Sequence, residues 1–274
     1  MQMSKPLVSV VMAYHNEPEA YVRQAIESIL NQSFKDFEFI IVIDTPASKL
    51  IEDLVAEYTD KRIITIQHSK SKGLAASLNA GIAKSSGTYI ARMDADDISL
   101  KNRLQLQVAF AKKNPSVDIV FGWVDGIDQS GKKTFEKHLS SSKITASDVL
   151  RGHGLVHPSV FGKATVFKDN PYAVSFMRAQ DFNLWLSLYP TYSFAMLKKV
   201  VLHYRFVTAS IDTRIAKLRS GAKYRMVALV RHLRQYAGYP VYWLELVKVL
   251  CLRTTLLLPR FVLRSLVKIK DFLR

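Results

Sequence analysis

PLVSVVMAYHNEPEAYVRQAIESILNQSFKDFEFIIVID, residues 6–44, is the stretch that decides the fold. It opens and closes on two apolar runs of strand length, 7–14 and 37–44. Between them Val22, Ile26, Ile29 and Leu30 recur at helical spacing, which predicts a helix over 19–32. Strand, helix, strand at this pitch is a βαβ unit, and runs apolar on both faces belong to a parallel sheet covered on both sides. The same beat continues downstream. Residues 48–59 read as a helix, 62–68 as a strand, 73–85 as a helix and 87–97 as a fourth strand. A helix over 101–113, a strand over 118–128, a looser region to about 160 and a helix over 179–189 follow.

In open α/β sheets ligands bind outside the carboxyl ends of the strands. Three such ends are polar here, AYHNE (13–17), IDTPAS (43–48) and DADD (94–97), and they are expected to meet at one edge. The last is the most demanding, because Asp94, Asp96 and Asp97 fall within four positions. An aspartate-rich turn that caps the following helix explains them without any ligand. The competing explanation is a hard divalent cation, Mg²⁺ or Mn²⁺. Such ions take one or two carboxylates together with substrate phosphates, and Asp-x-Asp sets two carboxylates on one side of an extended chain.

The 274 residues are enough for one large domain or one domain with an appendage, in an ordinary globular composition. The single cysteine, Cys251, excludes an internal disulfide framework and a thiolate zinc cluster. Residues 1–14 run from one lysine straight into a short β-branched strand, so they are read as structure and not as a signal peptide. The net charge of +16 is unevenly spread. Residues 214–274 hold 14 Lys/Arg and two Asp/Glu, against 25 and 21 in residues 1–213. A near-neutral body with a basic C-terminal part points to an anionic partner surface. No groove-reading or single-strand motif marks that partner as nucleic acid. Within 242–274, charges and Pro259 interrupt the apolar run, so no span of membrane length exists. Arg260, Arg264 and Lys268 instead repeat every four residues beside Phe261, Leu266, Ile269 and Leu273, a basic amphipathic pattern suited to an anionic bilayer surface. A helical hairpin packed on the body with its charges solvated is the other reading, and the two are compatible.

Five ordered blocks, residues 6–44, GLAASLNAGIAKSSGTYIARMDADD (73–97), HPSVF (157–161), AQDFNLWLSL (179–188) and Tyr204–Arg205, resemble the family 2 glycosyltransferases. The subset with ARMDADD and HPSV is similar to bacterial enzymes that build O-antigen or capsule repeat units. The resemblance implies a GT-A fold, Rossmann-like, with a mostly parallel sheet, flanking helices and a basic helical C-terminal extension. It implies a catalytic domain over 1–212, with a nucleotide-sugar half to about 100 and an acceptor half beyond; the basic amphipathic pattern adds a membrane-associating part over 213–274. It implies an inverting, metal-dependent transfer of a hexose, from UDP-galactose or UDP-glucose foremost, to an undecaprenyl-diphosphate-linked saccharide at the cytoplasmic face of the bacterial inner membrane. dTDP-rhamnose as donor, or a catalytically silent scaffold of the same fold, are its alternatives.

Carried onto this sequence, the resemblance assigns Ala13, Tyr14, Asn16, Glu17 and Asp44 to the base and ribose. It assigns Lys72, Gly73 and Asn79 to the ribose and diphosphate side, and Arg92 and Asp94 to the donor. Asp96 becomes the Mn²⁺ or Mg²⁺ ligand, and Asp97 orients the cluster. Ile43 stands where the family usually has a first aspartate, and Pro46 replaces a glycine. Asp181 is the candidate general base, although a helix-start aspartate also suits the dipole. Gln180, His157, Trp185 and Arg205 fall on the acceptor or diphosphate side. Trp185 also sits on the apolar face of its helix, and Lys72 also reads as a solvated turn residue.

Overall fold

The computed structural model describes residues 5–45, 49–206, 210–259 and 262–263. Its first half is the expected alternation: β1 (Val8–Tyr14), α1 (Glu19–Leu30), β2 (Phe37–Ile43), α2 (Lys49–Ala56), β3 (Ile63–Gln67), α3 (Leu74–Lys84) and β4 (Tyr89–Asp94). These strands lie parallel in the order β3-β2-β1-β4. Their side chains divide between two cores as the pleat requires. Val8, Val10 and Met12 face α1, where Val22, Ala25, Ile26 and Ile29 are buried. Val11 faces α3, with Ala75, Leu78 and Ile82. The approach of α3 is close: a Cβ on Gly81 would lie 2.5 Å from Val11 Cγ1.

The chain continues through β5 (Ile98–Ser99), α4 (Arg103–Lys113), β6 (Ile119–Ile127), β7 (Lys133–Lys137), α5 (Ala146–Arg151), a 3-10 turn (His157–Ser159), β8 (Phe161–Lys163), α6 (Ala164–Asp169), α7 (Gln180–Leu188) and β9 (Phe194–Arg205). The sheet is extended in the order β4-β8-β6-β9-β5, with β7 beside β6. Its long ladders are parallel, and β8 is a short antiparallel splice between the two parallel parts.

The long strand β9 was not read from the sequence, where only its last two residues stood out. The reason lies in the register. Gly122 pairs with Leu197 and Trp123 with Val200, so Lys198 and Lys199 are pushed into an exposed bulge that interrupts the apolar pattern. The region before residue 160 is also more ordered than expected, since it contains β7 and α5. A Thr145–Asp148 capping box starts α5.

Three helices close the described chain, α8 (Ile211–Arg231), α9 (Leu233–Tyr236) and α10 (Pro240–Thr255). They pack on the body and share its core, for Ala228, Leu229, Tyr236, Tyr242 and Val249 belong to the same cluster as α3 and α7. The Tyr236 hydroxyl donates to Leu186 O at 2.9 Å, and the Tyr242 hydroxyl to Leu229 O at 2.9 Å. Among the described residues no helix is long and apolar enough to cross a membrane. Arg260, Arg264 and Lys268 lie outside the described residues, as does Pro46.

The tight seam between α3 and β1 gives a first prediction. Gly81→Val should destabilise the fold by about 1–3 kcal/mol through overpacking, read as a lower urea midpoint with an unchanged slope. An unchanged midpoint would show that the seam can open without cost.

Candidate active site

Parallel register brings the three polar strand ends together. Ala13 pairs with Val42 on one side and with Asp94 on the other. In front of these ends lies a cavity of about 1470 Å³, bordered on this side by Ala13, Tyr14, Glu17, Asp44, Gly73 and Asp94.

Asp44 organises the wall beyond β2. Its carboxylate accepts from the Lys72 N–H at 2.7 Å, the Gly73 N–H at 2.9 Å and the Ser71 hydroxyl at 2.9 Å. Burial pushes this carboxyl up, but the amides of Lys72 and Gly73 and the Ser71 hydroxyl outweigh it and hold it below the usual carboxylate range. Gly73 takes φ 84°, a left-handed value that lets the loop turn into α3 while its amide faces Asp44. Lys72 contributes its backbone, and its side chain is exposed and does not border the cavity.

The carboxylates of Asp94, Asp96 and Asp97 offer one oxygen each within 4.8 Å of one another. Arg92, buried in β4, forms an ion pair with Asp94. Burial alone would depress the guanidinium, but the charge of Asp94 outweighs it and holds Arg92 above its ordinary value. Burial first, then the charges of Asp94 and Glu17, push the Asp96 carboxyl up to about 6. Asp97, fully buried, is driven well above the carboxylate range by burial and by Asp94 and Asp96. One of its oxygens accepts from the Arg205 N–H at 2.7 Å, and the other, Oδ2, has no partner. A buried carboxylate oxygen without a donor, in a cluster of three acids, suits a hard oxygen-seeking cation. The residues therefore fit Mn²⁺ or Mg²⁺ held by Asp96 together with Asp94.

Asp181 borders the same cavity from the opposite side, with Gln180, at the start of α7. The residue before them, Ala179, has φ 53°, a left-handed conformation rare outside glycine, and it turns the chain so that both side chains meet the cavity. Burial raises the Asp181 carboxyl above the usual range, opposed by the Phe182 N–H that donates to its Oδ1 at 2.8 Å. His157 also borders the cavity, from the 3-10 turn. Its Nε2 lies 2.7 Å from the Tyr172 hydroxyl, and burial, with Arg92 nearby, holds it well below its ordinary value and so neutral.

Asp96 and Asp97 stand behind Asp94 and do not themselves border the cavity, and four further expected site residues stand elsewhere. Asn79 spends its amide on the backbone of Tyr172, donating to Tyr172 O and accepting from Tyr172 N, both at 2.9 Å. Asn16 is exposed and does not border the cavity. Trp185 is 1% exposed and packs edge-on against Phe121, His157 and Phe194, so it is core and not a sugar platform. Arg205 is a tie beneath the acidic cluster and does not border the cavity. Its Nε donates to Asp96 O at 2.8 Å and its Nη2 to Gln24 Oε1 at 2.6 Å, while the guanidinium lies 4.2 Å above the Tyr21 ring.

Arg103 carries no signal legible in the sequence. It is fully buried, donates to Arg92 O at 2.7 Å, and is lowered to about 9 by burial and by the charge of Arg92. Nor did the sequence mark Lys137, Arg151, His153, Arg178 and Lys248, which also border the cavity. These come from segments distant in the chain, and only the fold assembles them.

The acidic cluster predicts a pH-dependent response to metal. Asp96 has a raised folded pKa, so in EDTA the fold binds more protons than the unfolded chain between about pH 4 and 6 and loses stability as pH rises through that window. Mn²⁺ should reverse the loss once Asp96 is deprotonated. A hundredfold excess over Kd should raise stability by about 2.7 kcal/mol, or roughly 5–10 °C in Tm, at pH 7.5 and much less at pH 5. Equal shifts at both values would rule out Asp96 as the ligand.

Comparison with known proteins places this geometry. The model of the family described as "Glycosyl transferase family 2" matches residues 9–202. An uncharacterized glycosyltransferase of Methanocaldococcus jannaschii is 36% identical over 282 residues, covering 98% of this chain and 96% of its own, C-terminal helices included. The Escherichia coli protein WfgD, named UDP-Glc:alpha-D-GlcNAc-diphosphoundecaprenol beta-1,3-glucosyltransferase, is 30% identical over 68% of this chain and 71% of its own. The O-antigen biosynthesis glycosyltransferase WbnJ of E. coli is 30% identical over 73% and 79%. Among solved structures, Staphylococcus aureus TarS in complex with UDP-GlcNAc superposes with a TM-score of 0.63 at 16% identity, over 85% of this chain and 73% of that one. That last likeness is one of fold, the GT-A arrangement of a mostly parallel mixed sheet between helices.

Proposed function

The chain belongs to glycosyl transferase family 2, and we propose that it transfers one hexose from a nucleotide sugar, UDP-glucose or UDP-galactose, to a saccharide carried on a lipid diphosphate, with inversion to a β-linkage. The observation that carries this reading is one cavity bordered both by Asp94, the member of the Asp94–Asp96–Asp97 cluster that reaches it, and by Asp181. The name of WfgD supports the donor and acceptor classes.

The chemistry follows from the two walls. A divalent cation bound at Asp96 would neutralise the diphosphate as it leaves. Arg92 holds Asp94 in place from beneath. Asp44 fixes the 71–73 loop, so the start of α3 presents a shaped edge to the nucleotide. Across the cavity Asp181 accepts the proton of the acceptor hydroxyl while that oxygen forms its bond to the anomeric carbon. The bond from that carbon to the diphosphate oxygen breaks on the opposite face, and one base suffices for a single displacement. The raised affinity of Asp181 for a proton makes it a better base than an exposed aspartate.

Asp181→Asn should lower kcat at least about a hundredfold, as expected for loss of a general base, and leave the Kd for the nucleotide sugar within threefold. Incubation with Mn²⁺, a GlcNAc-diphosphate-lipid analogue and a panel of UDP-, GDP- and dTDP-sugars, followed by mass, tests the transfer itself. Addition of a single sugar with one donor is the expected result, and turnover by the Asn variant would remove the base assignment.

We also propose that the protein works as a peripheral enzyme on the anionic cytoplasmic face of the membrane. The described helices support a more exact docking face than the C-terminal stretch alone. Along α10, Trp243, Leu244, Val247 and Leu250 are about half exposed, and Val227 and Val230 of α8 are similarly open. Such a large apolar surface with an interfacial indole, flanked by Arg231 and Arg253, suits a headgroup boundary. Removing α10 would also remove Tyr242 and Val249 from the core, so point changes are the proper test. Trp243→Ser with Leu250→Ser should cut binding to phosphatidylglycerol vesicles at least tenfold while the far-UV CD spectrum is kept. Undiminished binding would place the contact elsewhere.

A further inference from the structure

The cavity has a second chemical half. At about 1470 Å³ it exceeds the range of roughly 300–1,000 Å³ usual for a single ligand. Its strand-end wall is acidic, with Glu17, Asp44 and Asp94 on the border and Asp96 beside them. The far wall is the reverse. It presents Arg151 at the end of α5, His153 in the next loop, Arg178 just before α7, and Lys248 of α10.

Charge pairing separates the two halves further. Apart from Asp181, the acids on the far wall are paired with neighbouring cations. Glu136 pairs with Lys133 at 2.6 Å, and Glu245 pairs with Lys248 at 2.9 Å and Arg225 at 3.4 Å. Arg151, His153 and Arg178 have no ion pair or side-chain hydrogen bond among the described residues. Long cationic side chains without partners, grouped on one wall of a concave site, are an anion-binding arrangement.

The wall is also held in position. Arg225 of α8 donates to Leu150 O at 2.7 Å, at the turn that carries Arg151, and stacks 4.1 Å over Phe182, next to Asp181. Its contact with Glu245 brings α10 into the same joint. Arg151 and the proposed base are therefore fixed by one buttress.

We infer that Arg151 and Arg178, with His153 beside them, form an anion subsite that takes the phosphate groups of the acceptor, so that the acceptor lies with its hydroxyl at Asp181 and its diphosphate on the α5 side. This deepens the transfer reading given above and rests on it for the identity of the ligand. The opposite polarity of the walls sorts the two substrates. The acceptor diphosphate meets cations that the chain itself supplies.

The first measurement is calorimetric, with the full chain and inorganic diphosphate in EDTA, where the acidic wall repels anions and the basic wall alone reports. Wild-type protein should bind, and the double variant Arg151→Ala with Arg178→Ala should bind at least tenfold more weakly. Double Lys substitution should retain part of the affinity. Equal affinity in the Ala variant would overturn the subsite, whether or not any transfer is found. The second measurement compares acceptors, the saccharide on a diphosphate lipid analogue and the same saccharide on a neutral alkyl chain. The preference in kcat/KM for the diphosphate acceptor should fall at least tenfold in the Ala variant. A parallel fall for both acceptors would reassign the arginines to general support of the fold. Phosphatidylglycerol vesicles separate the two sources of phosphate. If the variant loses vesicle binding but keeps inorganic diphosphate, the arginines meet lipid headgroups and the inference fails. If no sugar transfers to either acceptor in wild type, the transfer reading falls, and calorimetry alone decides the subsite.

Discussion

Mutual repulsion among Asp94, Asp96 and Asp97 is the constraint around which the rest is arranged. Three carboxylates at one strand end repel, and partial burial removes the water that would screen them. The chain answers with arginines from three directions. Arg92 sits within β4 itself, Arg103 comes from α4 below, and Arg205 comes from the last residue of β9. Arg103 reaches only the carbonyl of Arg92, and Arg205 meets Asp97 through its backbone and Asp96 through its carbonyl. The cations thus frame the acids and leave carboxylate oxygens free for a ligand. The length of β9 makes sense in this light. It begins at the far edge of β6 and ends only where Arg205 can close the floor of the cluster.

What could be read from the sequence followed the local signals. The βαβ beat from Val8 to Asp94 was legible because period and length agree in each element. The acidic cluster, Asp44 and Asp181 were legible because each sits where a strand ends or a helix starts. Asn79, Trp185 and Arg205 were misplaced for a shared reason. A position in a motif says which loop a residue belongs to, not whether its polar atoms are already occupied. Asn79 is spent on Tyr172, and Arg205 on Asp96, Gln24 and the 128–129 carbonyls. Trp185 shows the same limit for an apolar group, since its ring lies inward against Phe121. The basic far wall left no trace, because Arg151 and Arg178 come from unrelated segments with no periodicity between them.

The net charge of +16 conceals two different uses of cations. Those buried in the body, Arg92, Arg103 and Arg205, hold the acidic site together. Others, such as Arg231 of α8 and Arg253 of α10, are exposed on helices that also carry exposed apolar side chains. The first kind works through hydrogen bonds of fixed geometry, and the second through a diffuse field that salt would weaken.

Helix α10 belongs to both systems. Glu245 and Lys248 border the cavity, while Trp243, Val247 and Leu250 look outward from the same few turns. The outward apolar face and one border of the cavity are therefore built from the same helix. A chimera that exchanges these helices with those of a relative would not merely change an address label. It would replace one border of the cavity and the Arg225 buttress with it, so the outer face of these helices cannot be exchanged without rebuilding the cavity.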